Sequence, residues 1–250
     1  MAKGLIWRDT PREVAAAADV VFSMVSDDAA LAAITAGPDG ILAGLQPGAL
    51  YIDMSTVSPG VSRELSGRVR SAGATMVDAP VSGGVTAAET GTLSIMVGGT
   101  EAGYRAAEAL LLRLGRTVTH VGGNGQALLL DLAINISTSA QMIAFHEGVM
   151  LAARGGIEPA LTARAMTEFA HGSPMAQPRL SLDLNLEPSR QARCDVAHMR
   201  KGLRLALENA RSSGLQLPLA AAVEGALGRV KESGCAHRDI TGLCEGLTRT

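Results

Sequence analysis

The sequence predicts an α/β domain with a largely parallel sheet, followed through one long helix by an all-helical domain. Three observations carry this. Apolar strand runs alternate with helices of roughly 10 to 15 residues up to residue 122, as parallel sheets with crossover helices require. After residue 123 only helical patterns remain. Between them Gly122, Gly123 and Gly125 break a strand, and an apolar pattern then runs without proline to Arg154, where Gly155-Gly156 stops it. That helix, over 124–154, is roughly 30 residues or about 45 Å long, unusual for a globular protein. The boundary falls at 1–122 and 123–250.

Each element has a local reason. Residues 4–7, GLIW, suggest a short strand. Thr10-Pro11-Arg12-Glu13 starts a helix, with Thr10 as cap and Pro11 in the first position. Asp19 to Val25, DVVFSMV, is a buried strand, and Ser26-Asp27-Asp28 caps the helix that follows to Thr35. ALYIDM at 49–54 is a strand, and Ser58-Pro59 opens a helix to Ser71. ATMVDAPV at 74–81 ends in Ser82-Gly83-Gly84; TLSIMV at 92–97 ends in Gly98-Gly99. A helix from Glu101 to Leu114 and a strand at 117–121 complete the series. Helices are expected at 158–170, 195–212, 217–233 and 239–248, with a long polar loop at 171–194.

Composition excludes several function classes. The net charge of −2, the lack of a basic block and only six aromatic residues argue against a nucleic-acid partner. No apolar run reaches 18 residues without a polar break, so no membrane span is expected, and MAKGLIWRD lacks a signal-peptide core. Cys194, Cys235 and Cys244 are odd in number and lack CxxC spacing, as reduced thiols of a cytoplasmic protein do. Cys194 with His198, and Cys235 with His237, lack the spacing of a zinc site, so no metal is expected. The three lysines are Lys3, Lys201 and Lys231.

In parallel sheets ligands sit beyond the carboxyl ends of the strands. Here those ends carry Val25-Ser26, Asp53-Met54-Ser55-Thr56 and Ser82-Gly83-Gly84. The last offers successive backbone N–H groups that form a nest for an anion, although such a turn alone is more often only a turn. In the long helix Asp131 stands among leucines, with Asn135 four residues on and therefore on the same face. Such a carboxylate is costly to bury unless paired, so a solvated stripe or an arginine partner is the bland alternative. No GxGxxG and no phosphate-loop pattern occurs.

DAPVSGG at 78–84, then GTLSIMVGG at 91–99, resembles the substrate-binding signature of the β-hydroxyacid dehydrogenases. That family includes 3-hydroxyisobutyrate dehydrogenase and tartronate semialdehyde reductase. The resemblance extends from Thr10 to about Gly246 and takes in DMSTVSP at 53–59, GNGQ at 123–126 and the long helix; one family glycine is Ala87 here. It implies a Rossmann-type domain, NAD or NADP as cofactor, a small-molecule substrate, and a homodimer formed through the helical part. It implies that Ser82, Gly83 and Gly84 hold a substrate carboxylate. Val25, Ser26 and Thr56 would line the nicotinamide half of the cofactor, and Lys201 would stand near both. The family's residue after that lysine is Asp, and Gly202 stands there.

Two departures set this sequence apart from the resemblance. At Asp131 the family has the lysine that exchanges a proton as hydride moves. Asp131 repels a developing alkoxide; it donates a proton only if burial raises its pKa, and as a carboxylate it stabilises an iminium. The related imine reductases often carry an acid there. Asp131, Asn135 and Lys201 are thus the candidate catalytic residues. The family's first strand, glycine-rich turn, helix and second strand are also missing, roughly 35 to 40 residues. The expectation is therefore an incomplete Rossmann-type sheet whose DVVFSMV strand is an open edge, as in a truncated reductase. The reaction implied is hydride transfer between nicotinamide and a small hydroxyacid, carbonyl or imine. The rival is a non-catalytic protein kept for oligomerisation or small-acid binding.

Overall fold

The computed structural model describes residues 6–168 and 195–237. They form two compact units, one reaching Asp131 and one beginning at Leu132. The division falls nine residues later than the glycine turn suggests, because the first turns of the long helix pack with the sheet: Leu128 is fully buried in the first unit's core.

In the first unit the helix starts are written in the side chains. Helix α1 (Pro11–Ala16) is capped by Thr10, whose hydroxyl accepts Glu13 N–H at 3.2 Å. Strand β1 (Val20–Ser23) leads to α2 (Asp28–Thr35), capped by the Asp27 carboxylate, which accepts Ala30 N–H at 2.8 Å. A short α3 (Ile41–Gly44), not anticipated from the sequence, lies against α1; a Cβ on Gly44 would come within 2.1 Å of Arg12 O, so only glycine fits. Next come β2 (Leu50–Asp53), α4 (Pro59–Ser71) and β3 (Thr75–Asp78). The chain continues through β4 (Val81–Ser82), α5 (Gly84–Glu89), β5 (Leu93–Gly98), α6 (Glu101–Leu111) and β6 (Gly115–Gly122).

Strands β1, β2 and β3 are parallel neighbours, with Ser23, Asp53 and Asp78 in register across them. Strand β6 is parallel to β5. One refinement of the expected sheet is that β5 runs antiparallel to both β3 and β4. The reason is length. A parallel return needs a crossover of about a dozen residues or more, and the six-residue α5 between β4 and β5 is too short for one. The run expected as one strand at 74–81 is correspondingly broken at Ala79-Pro80. Apolar residues alternate to both faces: Val21, Tyr51 and Met76 meet Leu65 and Val69 of α4, while Ile52, Val77 and Val97 meet Tyr104, Ala107 and Leu111 of α6. Strand β1 is the edge of the described sheet, with Phe22 exposed beside it. Of the suggested GLIW strand, Ile6 and Trp7 are irregular and exposed, and residues 4 and 5 lie outside the described residues.

Helix α7 (Gln126–Arg154) is 29 residues long. By length and composition alone it would be able to cross a bilayer. Its buried Asp131, Thr138, Ser139 and His146, and its share in two protein cores, are features of an interior helix. The second unit continues with α8 (Pro159–Glu168), α9 (Val196–Ser212), α10 (Pro218–Val230) and a π turn (Lys231–Cys235). Asp195 caps α9 by accepting His198 N–H at 2.7 Å. Val196, Met199, Leu203, Ala206 and Ala210 recur on one face of α9 and are buried. Arg200 Nε donates to Glu224 Oε1 at 2.8 Å, tying α9 to α10. The helix expected at 239–248, the loop at 171–194, Cys194 and Cys244 lie outside the described residues.

Candidate active site

The ends of β1, β2 and β4 in the first unit carry Val25, Ser26, Thr56 and the Ser82-Gly83-Gly84 turn, and of these β1 and β2 are neighbours. Beyond β1, Val25 is half-buried and Ser26 exposed, its hydroxyl donating to Asp27 at 3.0 Å. Beyond β2, Ser55 is buried and Thr56 half-buried. Val25 N–H donates to Ser55 Oγ at 2.9 Å, so the two strand ends are fastened together.

Asp131 is only 4% exposed, and Thr56 Oγ1 donates to its Oδ2 at 3.1 Å. The structure therefore joins two residues 75 positions apart that the sequence offered separately, and the solvated-stripe alternative for Asp131 does not hold.

At the end of β4 the Ser82-Gly83-Gly84 turn enters α5 with φ of 145° and 71° at its two glycines. A Cβ on Gly83 would come within 2.6 Å of the Ala87 methyl. Ala87, where the family resemblance has glycine, leans on the turn from one helical turn away. No side-chain hydrogen bond caps α5.

Two buried carboxylates not singled out from the sequence organise these ends. Asp53 closes β2 and accepts Ser23 Oγ at 2.7 Å, Ser55 Oγ at 2.6 Å and Ser55 N–H at 3.2 Å, all on Oδ1. Asp78 closes β3 and accepts Gly125 N–H at 2.8 Å, Asn124 Nδ2 at 3.2 Å and Ser62 Oγ at 3.2 Å, also on Oδ1. Asp78 thereby pins the GNGQ turn from which α7 starts. Gly98, its register partner, leaves room for it: a Cβ there would lie 2.4 Å from Asp78 Oδ2. Burial raises the Asp78 pKa to about 6 despite those donors, and burial likewise raises that of Asp53. The available sequence signal was an acid closing an otherwise apolar strand, since unpaired acids are rarely buried.

In the second unit Asn135, half-buried on α7, meets α9 at Gly202. A Cβ on Gly202 would stand 3.1 Å from Asn135 Nδ2, so the residue that replaces the family's Asp allows the asparagine its close approach. Lys201, half-buried, precedes it on the same helix. No group of three His, Cys, Asp or Glu side chains able to hold a metal ion occurs among the described residues.

Comparison with known proteins agrees with this architecture. Residues 1–122 match the model of the NAD-binding domain of 6-phosphogluconate dehydrogenase. Residues 123–247 match that of the NAD-binding region of NADP-dependent 3-hydroxyisobutyrate dehydrogenase. The 2-hydroxy-3-oxopropionate reductase of Escherichia coli is 30% identical over 255 aligned positions, covering 99% of this chain and 84% of that protein. The 3-hydroxyisobutyrate dehydrogenase of Mycobacterium tuberculosis, solved with L-serine, superposes with a TM-score of 0.85 at 26% identity, covering 96% of this chain and 83% of that one. An imine reductase from Myxococcus stipitatus, solved as a variant with NAD+, shares the fold at a TM-score of 0.61 and 17% identity, covering 96% and 84%. The chain belongs to the β-hydroxyacid dehydrogenase family, whose members are NAD(P)-dependent oxidoreductases.

The residues present fit one end of that cofactor. Ser26 and Thr56 place neutral hydroxyl oxygens at adjacent parallel strand ends; with their protons given to Asp27 and Asp131, they are acceptors suited to the hydroxyls and carboxamide N–H of an uncharged nicotinamide riboside. The β1–α2 turn has no glycines, and Asp27 already occupies the start of α2, so that helix does not offer its N–H groups to a pyrophosphate.

Proposed function

We propose that this reductase acts on a small carboxylic acid whose reducible carbon is preferentially a C=N, with Asp131 as the residue that sets the preference. The observation that carries the reading is the Asp131 carboxylate, buried and hydrogen-bonded to Thr56 at a strand end that suits nicotinamide. Ser82, Gly83 and Gly84 supply the complementary half, an anion nest for the substrate carboxylate.

The bound nicotinamide supplies or accepts the hydride. The chain's own residues do the rest. The Ser82–Gly84 backbone fixes the carboxylate end and so the distance of the reacting carbon from it. Thr56 holds Asp131 in one rotamer by donating to Oδ2. As a carboxylate, Asp131 would stabilise positive charge on a substrate nitrogen, which an alkoxide-forming reaction does not develop. Asn135 would orient the substrate heteroatom, and Lys201 would be an auxiliary cation. Exposed Leu151, Leu215 and Leu219 of the second unit support self-association as a homodimer.

The test is a substrate panel followed by nicotinamide absorbance with NADPH and with NADH. Cyclic imines bearing a carboxylate are expected to be reduced at least tenfold more efficiently than the matching semialdehydes. Efficient oxidation of a 3-hydroxyacid, with every imine inert, would overturn the preference. A lone small acid that raises the melting temperature, with no nucleotide effect, would instead favour an acid-binding protein.

A further inference from the structure

A single carboxylate oxygen lies behind the whole nicotinamide-facing edge of the first unit. Asp53 is fully buried. Its Oδ1 receives the hydroxyls of Ser23 and Ser55 at 2.7 and 2.6 Å, and the Ser55 N–H at 3.2 Å. Because Ser55 gives its proton to Asp53, its oxygen lone pairs turn toward Val25, whose N–H it accepts at 2.9 Å. On the other side, Ser23 Oγ lies 2.7 Å from the buried Tyr51 hydroxyl, which limits how far it can rotate. Thr56 is the next residue after Ser55, and its hydroxyl meets Asp131. Every link is therefore directional. Asp53 sets Ser55; Ser55 sets Val25 and the peptide before Thr56; Thr56 sets Asp131.

We propose that Asp53 is a positioning residue for the nicotinamide end of the cofactor, acting through Ser55 on Val25 and Thr56 without itself touching cofactor or substrate. The assignment rests on the reading of these strand ends as the nicotinamide site, but not on the identity of the substrate. A mere packing role is the competing account. It is disfavoured by chemistry: a carboxylate that only filled space there would be replaceable by an apolar side chain at lower desolvation cost. What an apolar side chain cannot do is orient three donors at once.

The experiment uses the whole chain and reads binding as well as turnover. Asp53→Asn and Ser55→Ala are each titrated with NADPH by nucleotide fluorescence. The same proteins are titrated, by displacement, with 2′-phosphorylated ADP, the fragment that lacks both the nicotinamide ring and its ribose. Positioning predicts that NADPH binding weakens about tenfold in both variants while fragment binding changes less than twofold. It also predicts that kcat falls about tenfold, with the KM for the carboxylate substrate unchanged, since Asp53 makes no hydrogen bond to the Ser82–Gly84 turn, which pairs with β5 through Ser82. Equal weakening of NADPH and fragment, or no weakening of either in a folded variant, would overturn the proposal. Should Asp53→Asn fail to fold, Ser55→Ala decides alone, because it keeps the Asp53–Ser23 bond. Absence of NADPH and NADH binding by the unmodified chain would overturn this proposal together with the nicotinamide site. Failure of the imine preference alone would leave the binding contrast standing.

Discussion

Asp53 and Asp78 stand side by side as the last residues of two parallel strands, both fully buried and both using one oxygen. Their donors differ. Asp53 binds mostly hydroxyls, from Ser23 and Ser55, which can swivel to other acceptors. Asp78 binds a backbone N–H, from Gly125, which cannot, beside the Asn124 amide and the Ser62 hydroxyl. Two similar carboxylates thus serve different ends: Asp78 fastens the architecture where α7 departs, and Asp53 adjusts the lip of the site. The position of a buried acid does not reveal its role; the rigidity of its donors does.

The largest effect that would sharpen this contrast is on stability. Asp78→Ala strands the Gly125 N–H in the interior, while the Asn124 amide keeps Met76 O at 3.1 Å, and with the cavity left behind is expected to cost about 3 kcal/mol. Asp53→Ala, whose hydroxyl partners can turn elsewhere, should cost about 1 to 2 kcal/mol. Urea unfolding of both variants checks the order, and a reversed order would break the comparison.

Next in size is a pH effect specific to Asp78. Its pKa is raised to about 6 in the folded chain, above the unfolded carboxyl value, so the native state takes up the proton first. The resulting stabilisation is fully present below about pH 4 and is lost as pH rises through 6, a full span of about 3 kcal/mol, of which about 2 kcal/mol falls between pH 4.5 and pH 7. The difference in unfolding free energy between the unmodified chain and Asp78→Asn should therefore shift in the unmodified chain's favour between pH 7 and pH 4.5. A pH-independent difference would contradict the assigned burial effect.

Gly125→Ala tests the same fastening from the other side. Its φ of 85° is unfavourable for alanine, and a Cβ would lie 2.8 Å from Pro59 O, so about 2 kcal/mol of destabilisation is expected in a thermal melt. The smallest stability effect belongs to Thr56→Val. It keeps the shape, should cost under about 1 kcal/mol, and should lower kcat about tenfold by releasing Asp131.

How much of this was legible in the sequence follows from the range of the interactions. Helix starts at Thr10, Asp27 and Asp195 are local, and the pattern revealed the elements they open. Strand β5's direction depended on the shortness of α5, and a six-residue helix entered through two glycines is too short to carry an apolar period. Asp131 was readable because a charge interrupts a run of leucines. Its partner Thr56 was not, since nothing within either segment announces a bond across 75 residues. Asp53 and Asp78 lay within recognisable motifs, but their division of labour depends on which distant donors the sheet brings to them.

The most direct test of the account is a charge reversal at Asp131, measured as the ratio of kcat/KM for a carboxylate-bearing imine to that for the matching semialdehyde. The account predicts that Asp131→Lys shifts the ratio at least a hundredfold toward the semialdehyde, with NADPH affinity held within a few-fold. An unchanged ratio in a folded, NADPH-binding variant would contradict it, and would mean that the acid on α7 does not set the chemistry of the site.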